Sequence, residues 1–420
     1  MLLSFWLLGF LALLTLSALA AAVMVEGRRR LRRRAGTIGW VRAWTGRGLS
    51  VALLFLLASA TVADQQNRHF QYIPSFAALF GNISPNYRSG GLQAVSAQQS
   101  GQHGVGWTGS QPGTVVKIQV PGPASGVAAR PAYVYLPAAY FDPAQANRRF
   151  PVLYLLHGSP GVAADWVRGG RLDQAMDRLI SMGKVSPFVV VMPDTNGGYR
   201  RDLECQNVPN GVQDETYLTR DVVGYVDSHL RVRADRAARA IGGLSTGGYC
   251  AVNLALRNQG TFSVIMSSSG SGRPDHGIYT GDLFGHDRSR ERANTPVEYL
   301  PTLPLRAPLH VYLDSGRTDR WATKETRHLH LALRQRGVPT TVRATAGGHS
   351  FETWRLSLYR SLPWISQRLE QGGDPPAPPP AGSTGETVRA LDGPSVTAAS
   401  IGVQPVPTLQ LAAQFALSGQ

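Results

Sequence analysis

The sequence predicts an α/β protein built on a mostly parallel eight-stranded sheet with helices on both faces, preceded by an N-terminal transmembrane helical hairpin. Short β-branched and aromatic runs recur along the middle of the chain, and helix-length segments separate the later ones. The run Phe188–Met192 is apolar throughout, as in strands covered by helices on both faces. Two uncharged stretches flank an arginine cluster near the N-terminus, which predicts the hairpin.

The composition is that of a globular protein. The 420 residues are 43% hydrophobic and 16% charged, which excludes a wholly disordered chain, and no Gly-X-Y period is present. Forty-two basic and 27 acidic residues give a net charge of +15. Eight arginines and one acid between Glu26 and Arg47 account for +7 of that charge, so the basicity is largely local. No nucleic-acid partner is therefore expected.

Two N-terminal stretches are candidates for membrane spans. Met1–Val25 has no charged residue and as a helix would reach about 37 Å, enough for a bilayer core of about 30 Å. Gly48–Ala63 is a second uncharged run of only 16 residues. Because arginines near a span resist translocation, we expect the intervening loop to be cytoplasmic and the chain from Asp64 onward to be extracytoplasmic. The alternatives are a nucleic-acid-binding arm, or a long signal sequence whose cleavage near Ala60 or Ala63 would release the domain.

The remainder divides by composition. Residues 64–111 are rich in Gly, Ser, Gln and Asn and are predicted to be a spacer with limited order. Residues 112–370 contain the strand and helix signals and are predicted to form the α/β domain. Residues 371–420 open with a proline-rich stretch and are predicted to be disordered.

Eight strands are expected in the central domain. The first two are close enough for a hairpin, so we predict an antiparallel start and a parallel remainder. The predicted strands are Thr114–Val120, Ala132–Leu136, Val152–Leu156, Phe188–Met192, Arg239–Gly243, Ser263–Ser267, Leu309–Leu313 and Thr340–Thr345. The predicted helices are Gly170–Met182, Leu218–Leu230, Gly247–Asn258 and Thr323–Arg336.

A G-x-S-x-G pentapeptide follows the fifth predicted strand and precedes a predicted helix. In Gly243-Leu-Ser-Thr-Gly247 this context predicts a sharp strand-to-helix turn that projects the Ser245 hydroxyl above the sheet. The pentapeptide by itself is also compatible with a simple glycine-rich turn. A serine hydroxyl is a poor nucleophile at neutral pH, so this interpretation requires a base and an acid elsewhere in the chain.

Both partners follow later strands. His349 comes after the eighth strand between glycine and serine, and Asp319 comes after the seventh. Because the carboxyl ends of parallel strands share one rim of the sheet, we expect a Ser245–His349–Asp319 triad there. Asp314 is the alternative acid, and a structural role is expected for it because it lies nearer the strand. His349 as a surface loop histidine is the simpler alternative.

An acyl-transfer site also needs hydrogen-bond donors for the oxyanion. In this arrangement one donor is the backbone N–H after the nucleophile, here Thr246, and the other comes from the loop after the third strand. In His157-Gly-Ser-Pro-Gly161 the expected donor is Ser159, because Pro160 has no N–H. His157 is expected to shape this loop.

Four segments together resemble a known family: Val152-Leu-Tyr-Leu-Leu-His-Gly158, Gly243-Leu-Ser-Thr-Gly-Gly248, Asp314-Ser-Gly-Arg-Thr-Asp319 and Gly347-Gly-His-Ser350. They are similar to the putative esterase family of α/β-hydrolases, which includes S-formylglutathione hydrolases and antigen 85 mycolyltransferases. The resemblance covers about residues 113–369 and implies the α/β-hydrolase fold. It also implies acyl-ester chemistry, with Asp319 matching the position of the family's acid.

Other residues are expected to act outside the triad. Asp194 and Asn196 follow the fourth strand and are predicted to hydrogen-bond a polar substrate such as a sugar, although a plain turn is the alternative. The long insertion from Ser268 to Tyr299 is expected to roof the pocket or to form a solvated excursion. Cys205 and Cys250 are too few for a structural zinc site, and a bond between them is left open.

These patterns predict a membrane-anchored, extracytoplasmic serine esterase or acyltransferase. The expected substrate is an acyl ester, including that of a lipid or glycolipid, and the triad requires neither metal nor cofactor. Transfer to a sugar or lipid alcohol, as by mycolyltransferases, and hydrolysis share the first half-reaction. The alternatives are an amide or peptide hydrolase and a catalytically silent cell-envelope binding module.

Overall fold

The computed structural model describes residues 52–67, 84–92, 111–199, 201–277 and 280–370, with four single positions nearer the N-terminus. All of them lie within Met1–Pro378, the first of two units into which the chain divides. Apart from the four single positions, the first predicted membrane segment lies outside the described residues. The predicted disordered tail lies outside them entirely.

A nine-stranded sheet forms the centre of the described domain. Its strands are β1 (Tyr87–Arg88), β2 (Thr114–Val120), β3 (Arg130–Leu136), β4 (Val152–Leu156), β5 (Val189–Pro193), β6 (Arg239–Leu244), β7 (Val264–Ser268), β8 (His310–Gly316) and β9 (Thr340–Thr345). Their spatial order is β1-β2-β3-β5-β4-β6-β7-β8-β9. Strand β3 is antiparallel to both neighbours and all other pairs are parallel, so the predicted antiparallel start and parallel remainder are confirmed.

Helices cover both faces of this sheet. They are α1 (Asp165–Arg168), α2 (Leu172–Ser181), α3 (Asp214–Thr216), α4 (Val222–His229), α5 (Thr246–Arg257), α6 (Arg288–Ala293), α7 (Pro296–Tyr299), α8 (Arg320–Gln335) and α9 (Phe351–Glu370). A π-helical turn, Tyr217–Asp221, joins α3 to α4. Helix α9 was not among the predicted helices. It contains Pro363, a residue that normally argues against a helix interior.

Each buried strand contributes to two hydrophobic cores. In β4, Tyr154 faces the core that also holds residues of α4, α5 and α8, whereas Leu153 and Leu155 face the core formed with α2 and α9. This alternation follows from the period of two in a strand. The sheet is thereby fixed on both faces, which holds the loops at its carboxyl edge in defined positions.

Part of the predicted spacer joins the sheet. Strand β1 lies within residues 64–111 and pairs in parallel with β2, with Tyr87 opposite Val115. The side-chain amide of Asn86 donates to Asp177 Oδ2 at 2.8 Å, and the Gly113 N–H donates to Asp177 Oδ1 at 2.8 Å. The eight predicted strands are therefore joined by a ninth, which is too short to give a pattern in the sequence.

Residues 52–67 form a helix that covers most of the second predicted membrane segment. Within the parts of the chain that the structure describes, no helix has both the length and the apolar character needed to cross a bilayer.

Cys205 and Cys250 form a disulfide with a Cα–Cα distance of 5.7 Å. Both residues are buried, and Cys250 lies one turn into α5. The bond therefore ties the segment after β5 to the helix that follows Ser245.

Candidate active site

Ser245 lies on the sharp turn between β6 and α5 that the pentapeptide predicts. Its φ and ψ of 52° and −124° are unusual for a non-glycine residue. The flanking glycines permit the turn: a Cβ on Gly243 would lie 2.2 Å from the Gly247 carbonyl oxygen. A Cβ on Gly247 would lie 2.4 Å from the carbonyl oxygen of His157. Since real Cβ atoms do not approach backbone this closely, both positions require glycine.

Three side chains from separate loops meet at the carboxyl edge of the sheet. His349 Nε2 is 3.0 Å from Ser245 Oγ, and His349 Nδ1 is 2.6 Å from Asp319 Oδ2. The imidazole thus lies within hydrogen-bonding distance of a hydroxyl on one side and a carboxylate on the other. This is the arrangement that permits a serine proton to pass to histidine while the carboxylate fixes the ring.

The two candidate acids have different surroundings. Asp319 Oδ1 accepts from the Ala322 N–H at 3.1 Å, which leaves Oδ2 for His349. Burial opposes ionisation of Asp319, but the hydrogen bond and charge of His349 outweigh it and lower the pKa of the carboxyl. Asp314 is fully buried in β8, where both its oxygens accept from Thr345. Burial raises the pKa of Asp314, and its contacts are structural.

Two tryptophans pack edge-on against the histidine ring. The ring centroids of Trp354 and His349 are 5.0 Å apart, with an angle of 84° between the ring planes. The ring centroid of Trp321 is 6.4 Å from that of His349. Neither tryptophan was among the site residues predicted from the sequence. The position of Trp321 two residues after Asp319 was the available signal. The packing restricts the orientation of the imidazole.

The loop after β4 lies directly beside Ser245. A Cβ built on Gly158 would be 3.2 Å from Ser245 Cβ, so this backbone passes close to the serine. Among the described residues, neither the Ser159 N–H nor the Thr246 N–H has a hydrogen-bond partner. Of the two predicted oxyanion donors, Thr246 directly follows Ser245 in the chain. Ser159 directly follows Gly158, whose backbone lies close to Ser245.

His157 connects this loop to the segment after β5. Its Nε2 accepts from the Thr195 N–H at 3.1 Å and lies 3.6 Å from Asp194 Oδ1. Its Nδ1 lies 2.7 Å from the Gly158 carbonyl oxygen. Burial favours the neutral ring, but the nearby Asp194 and Asp165 outweigh it and raise the pKa of His157. Because a carbonyl oxygen only accepts, Nδ1 carries a proton and donates to the Gly158 carbonyl.

Asp194 and Asn196 use their side chains within the protein. Asp194 Oδ1 accepts from the N–H groups of Asn196 and Gly197, each at 2.9 Å. Asn196 Oδ1 accepts from the Leu203 N–H at 3.4 Å, and both side chains are buried. The structure shows a hydrogen-bonded turn here, so substrate binding by these two residues stays a prediction.

The insertion after β7 packs against helix α5 and the segment that follows β5. Leu283 and Phe284 form a small buried cluster with Leu203. The Tyr249 hydroxyl of α5 donates to the Asn294 carbonyl at 2.7 Å. The insertion is therefore a packed part of the domain beside the nucleophile helix. In the described part of the chain, no group of three or more His, Cys, Asp or Glu residues is placed to hold a metal ion.

The family model described as Putative esterase matches residues 128–365. An uncharacterized protein of Corynebacterium glutamicum is 32% identical over 255 residues, which span 58% of this chain and 58% of the relative. An endo-1,4-beta-xylanase/feruloyl esterase of Xylanibacter ruminicola is 33% identical over 231 residues, which span 54% of this chain and 28% of the relative. The chain thus spans little more than half the length of the first of these curated relatives and less of the second.

A solved structure of a ferulic acid esterase is also similar. It superposes with a TM-score of 0.52 and 25% identity, over 61% of this chain and 99% of that chain. The match supports the α/β-hydrolase fold.

Proposed function

The chain belongs to the putative esterase family, as its motifs indicated, and we propose that it is a serine esterase or acyltransferase using Ser245, His349 and Asp319. The observation that supports this proposal most directly is the continuous contact from Ser245 Oγ to His349 and on to Asp319, at 3.0 and 2.6 Å. In this proposal Ser245 is the nucleophile, His349 is the base and Asp319 is the acid that orients His349.

The first half-reaction forms an acyl-enzyme. Ser245 Oγ attacks the ester carbonyl carbon as its proton passes to His349 Nε2, and Asp319 stabilises the resulting imidazolium. The carbonyl oxygen becomes an oxyanion, for which the N–H groups of Ser159 and Thr246 are the proposed donors. When the tetrahedral intermediate collapses, the carbon–oxygen bond to the alcohol breaks and His349 gives its proton to the leaving oxygen.

The second half-reaction determines the product. His349 takes a proton from water or from an alcohol, whose oxygen attacks the acyl carbon. The bond from the acyl carbon to Ser245 Oγ then breaks, and His349 returns the proton to Ser245 Oγ. Water gives a free acid and an alcohol gives a new ester. Mycolyltransferase-like transfer to a sugar or lipid alcohol is the finer form of the proposal, and it requires an acceptor site that excludes water.

A fluorophosphonate probe tests the nucleophile. The purified full-length chain should be labelled, Ser245→Ala should not be labelled, and Ser350→Ala should be labelled as a matched serine control on the same rim. Labelling of the Ser245→Ala protein at the wild-type rate, or failure to label a folded wild-type chain, would contradict the proposal.

Product analysis separates hydrolysis from transfer. Feruloyl and acetyl esters are suitable first donors because one relative is named a feruloyl esterase and another an acetyl esterase. We would supply a sugar or a long-chain alcohol with the donor and measure free acid against new ester. New ester as the main product in water assigns an acyltransferase, and free acid with every acceptor assigns a hydrolase.

We also propose that the enzyme domain is extracytoplasmic and anchored to the membrane by the N-terminal segments. The buried Cys205–Cys250 disulfide supports this placement, because disulfides persist mainly in oxidising compartments. The arginine cluster between two uncharged runs supports a cytoplasmic loop. Reporter fusions before Arg28 and after Ala63 should both report an outside location, and a cytoplasmic signal after Ala63 would refute the hairpin.

A further inference from the structure

A basic cleft lies at the opposite end of the sheet from Ser245. It encloses about 670 Å³ and is bounded by the π-helical turn, the segment before β6, the loop from α5 to β7 and the loop before β8. This volume is in the range of sites that bind small molecules. These segments precede the amino ends of β6, β7 and β8, whereas the proposed triad follows the carboxyl ends.

Arginines give the cleft its charge. Arg220, Arg236, Arg257 and Arg306 line it, and no aspartate or glutamate is among the described residues that do so. Arg257 forms an ion pair with Glu215, in which Arg257 Nη2 and Glu215 Oε2 are 2.9 Å apart. The guanidinium groups of Arg220 and Arg306 are exposed, and neither has a hydrogen-bond or ion-pair partner within the described residues.

The walls of the cleft are held in place by hydrogen bonds. The Gln259 side chain donates to the Pro304 carbonyl at 2.9 Å and accepts from the Arg306 N–H at 2.7 Å. Arg236 Nε donates to the Gln259 carbonyl at 2.6 Å, so the segment before β6 is also bonded to Gln259. These bonds fix the backbone at Arg306 and the side chain of Arg236, whereas the guanidinium groups of Arg220 and Arg306 stay available to a ligand.

The turn that carries Arg220 has an uncommon geometry. Residues Tyr217–Asp221 form a π-helical turn, a feature that occurs frequently at functional sites. Thr219, on the same turn, also lines the cleft, and its hydroxyl donates to the Glu215 carbonyl at 2.7 Å. Thr219 and Arg220 of this turn therefore line the same cleft as Arg257.

We propose that this cleft is a binding site for a phosphate group, carried on a sugar, a polymer or a lipid, and that it is separate from the proposed active site. Planar guanidinium groups match phosphate oxygens in paired hydrogen bonds, and Arg220 and Arg306 have such donors unused. Helix α5 spans about 18 Å between Thr246 and Arg257, so a ligand held here leaves Ser245 accessible. The site would anchor a phosphorylated partner while ester chemistry proceeds at the other edge.

The test measures binding of pyrophosphate to the full-length chain by calorimetry. We expect saturable binding that weakens with added salt and that becomes about tenfold weaker, or more, in Arg220→Gln/Arg306→Gln. Arg327→Gln, an exposed arginine of α8 outside the cleft, is the matched control and should bind as wild type. The lysine pair Arg220→Lys/Arg306→Lys keeps the charge and should recover part of the affinity. Circular dichroism verifies that each variant is folded.

Two outcomes would overturn the proposal: no saturable binding by the wild-type chain, or equal affinity in wild type and the double glutamine variant. Vesicles of phosphatidylcholine with and without phosphatidylglycerol identify the source of the phosphate. Binding to the phosphatidylglycerol vesicles that depends on both arginines assigns a lipid headgroup, and its absence assigns a soluble or polymer-borne phosphate. Ser245→Ala should bind pyrophosphate as wild type does, so failure of the cleft and failure of the proposed triad are distinguishable.

Discussion

Asp314 and Asp319 are five residues apart, and their surroundings distinguish them. The sequence predicted Asp319 as the acid from its position beyond the strand, and the structure places its Oδ2 2.6 Å from His349. Asp314 lies within β8, where hydrogen bonds from Thr345 use its oxygens. Substitution of Asp319 should therefore affect mainly catalysis, and substitution of Asp314 should affect mainly stability.

Asp319→Asn should lower kcat by roughly a thousandfold or more, because the amide cannot stabilise the imidazolium or hold the same tautomer. Since the pKa of Asp319 is lowered in the folded chain, its contribution to folding stability is present above about pH 4 and is lost as the pH falls through the lowered value. Kinetics with an activated ester and unfolding at several pH values measure both effects.

Asp314→Asn is the comparison variant. It should destabilise the fold by about 1–3 kcal/mol, because it disturbs a buried hydrogen-bonded carboxyl. Once folded, it should still be labelled by a fluorophosphonate probe. A larger fall in kcat for Asp314→Asn than for Asp319→Asn would indicate that Asp314 is the acid and that Asp319 is structural.

His157 is expected to position the oxyanion donor without touching the substrate. Its Nδ1 donates to the Gly158 carbonyl, and in a trans peptide unit this directs the Ser159 N–H to the opposite side. His157→Gln should lower kcat by roughly 10- to 100-fold with little change in KM, since one oxyanion donor contributes about 100-fold or more. His157→Asn places an amide nitrogen near the Nδ1 position and should restore part of kcat. Equal kcat values for the Gln and Asn variants would argue against this role.

At the scale of elements, the β6–Ser245–α5 turn depends on close backbone contacts. Helix α5 begins where Gly247 meets the carbonyl oxygens of Leu156 and His157, at the end of β4. The G-x-S-x-G pattern predicts this turn because the glycine spacing reflects these contacts. Helix α9, in contrast, contains Pro363, and its docking against α2 and β7 decides its conformation.

Gly247→Ala should destabilise the fold by about 1–3 kcal/mol or more, because the new methyl group would meet backbone oxygens 2.4 and 2.5 Å away. Gly224→Ala in α4 is the matched control: its Cβ would meet no atom within 4 Å, and the change should stabilise the helix by about 0.5–1 kcal/mol. Urea unfolding measures both variants. Similar unfolding midpoints for the two variants would show that the turn between β6 and α5 tolerates a side chain at position 247.

At the scale of the molecule, one disulfide connects the segment after β5 to helix α5. Cys205 and Cys250 are 45 residues apart in sequence. In the chain-entropy account, closing a loop of this length stabilises the fold by about 4 kcal/mol. The bond should therefore contribute substantially to the stability of the domain.

The double variant Cys205→Ser/Cys250→Ser should lose about 2–4 kcal/mol of unfolding free energy. A reducing agent should produce a similar loss in the wild-type chain and none in the variant. Urea unfolding of the full-length chain in detergent, with and without dithiothreitol, measures this. An unchanged wild-type midpoint under reduction would show that the bond contributes little.

By itself the sequence determined where eight of the strands lie along the chain and the sharp turn at Ser245. It also determined that His349 and Asp319 lie beyond the ends of their strands. These features depend on local periodicity and on residue types that a turn requires. Only the tertiary structure decided what depends on distant contacts. Strand β1 forms because β2 offers an edge, Asp194 is used internally because His157 and the next turn face it, and the Cys205–Cys250 bond forms because packing brings two remote segments together. Such contacts join residues far apart along the chain, so no local pattern encodes them.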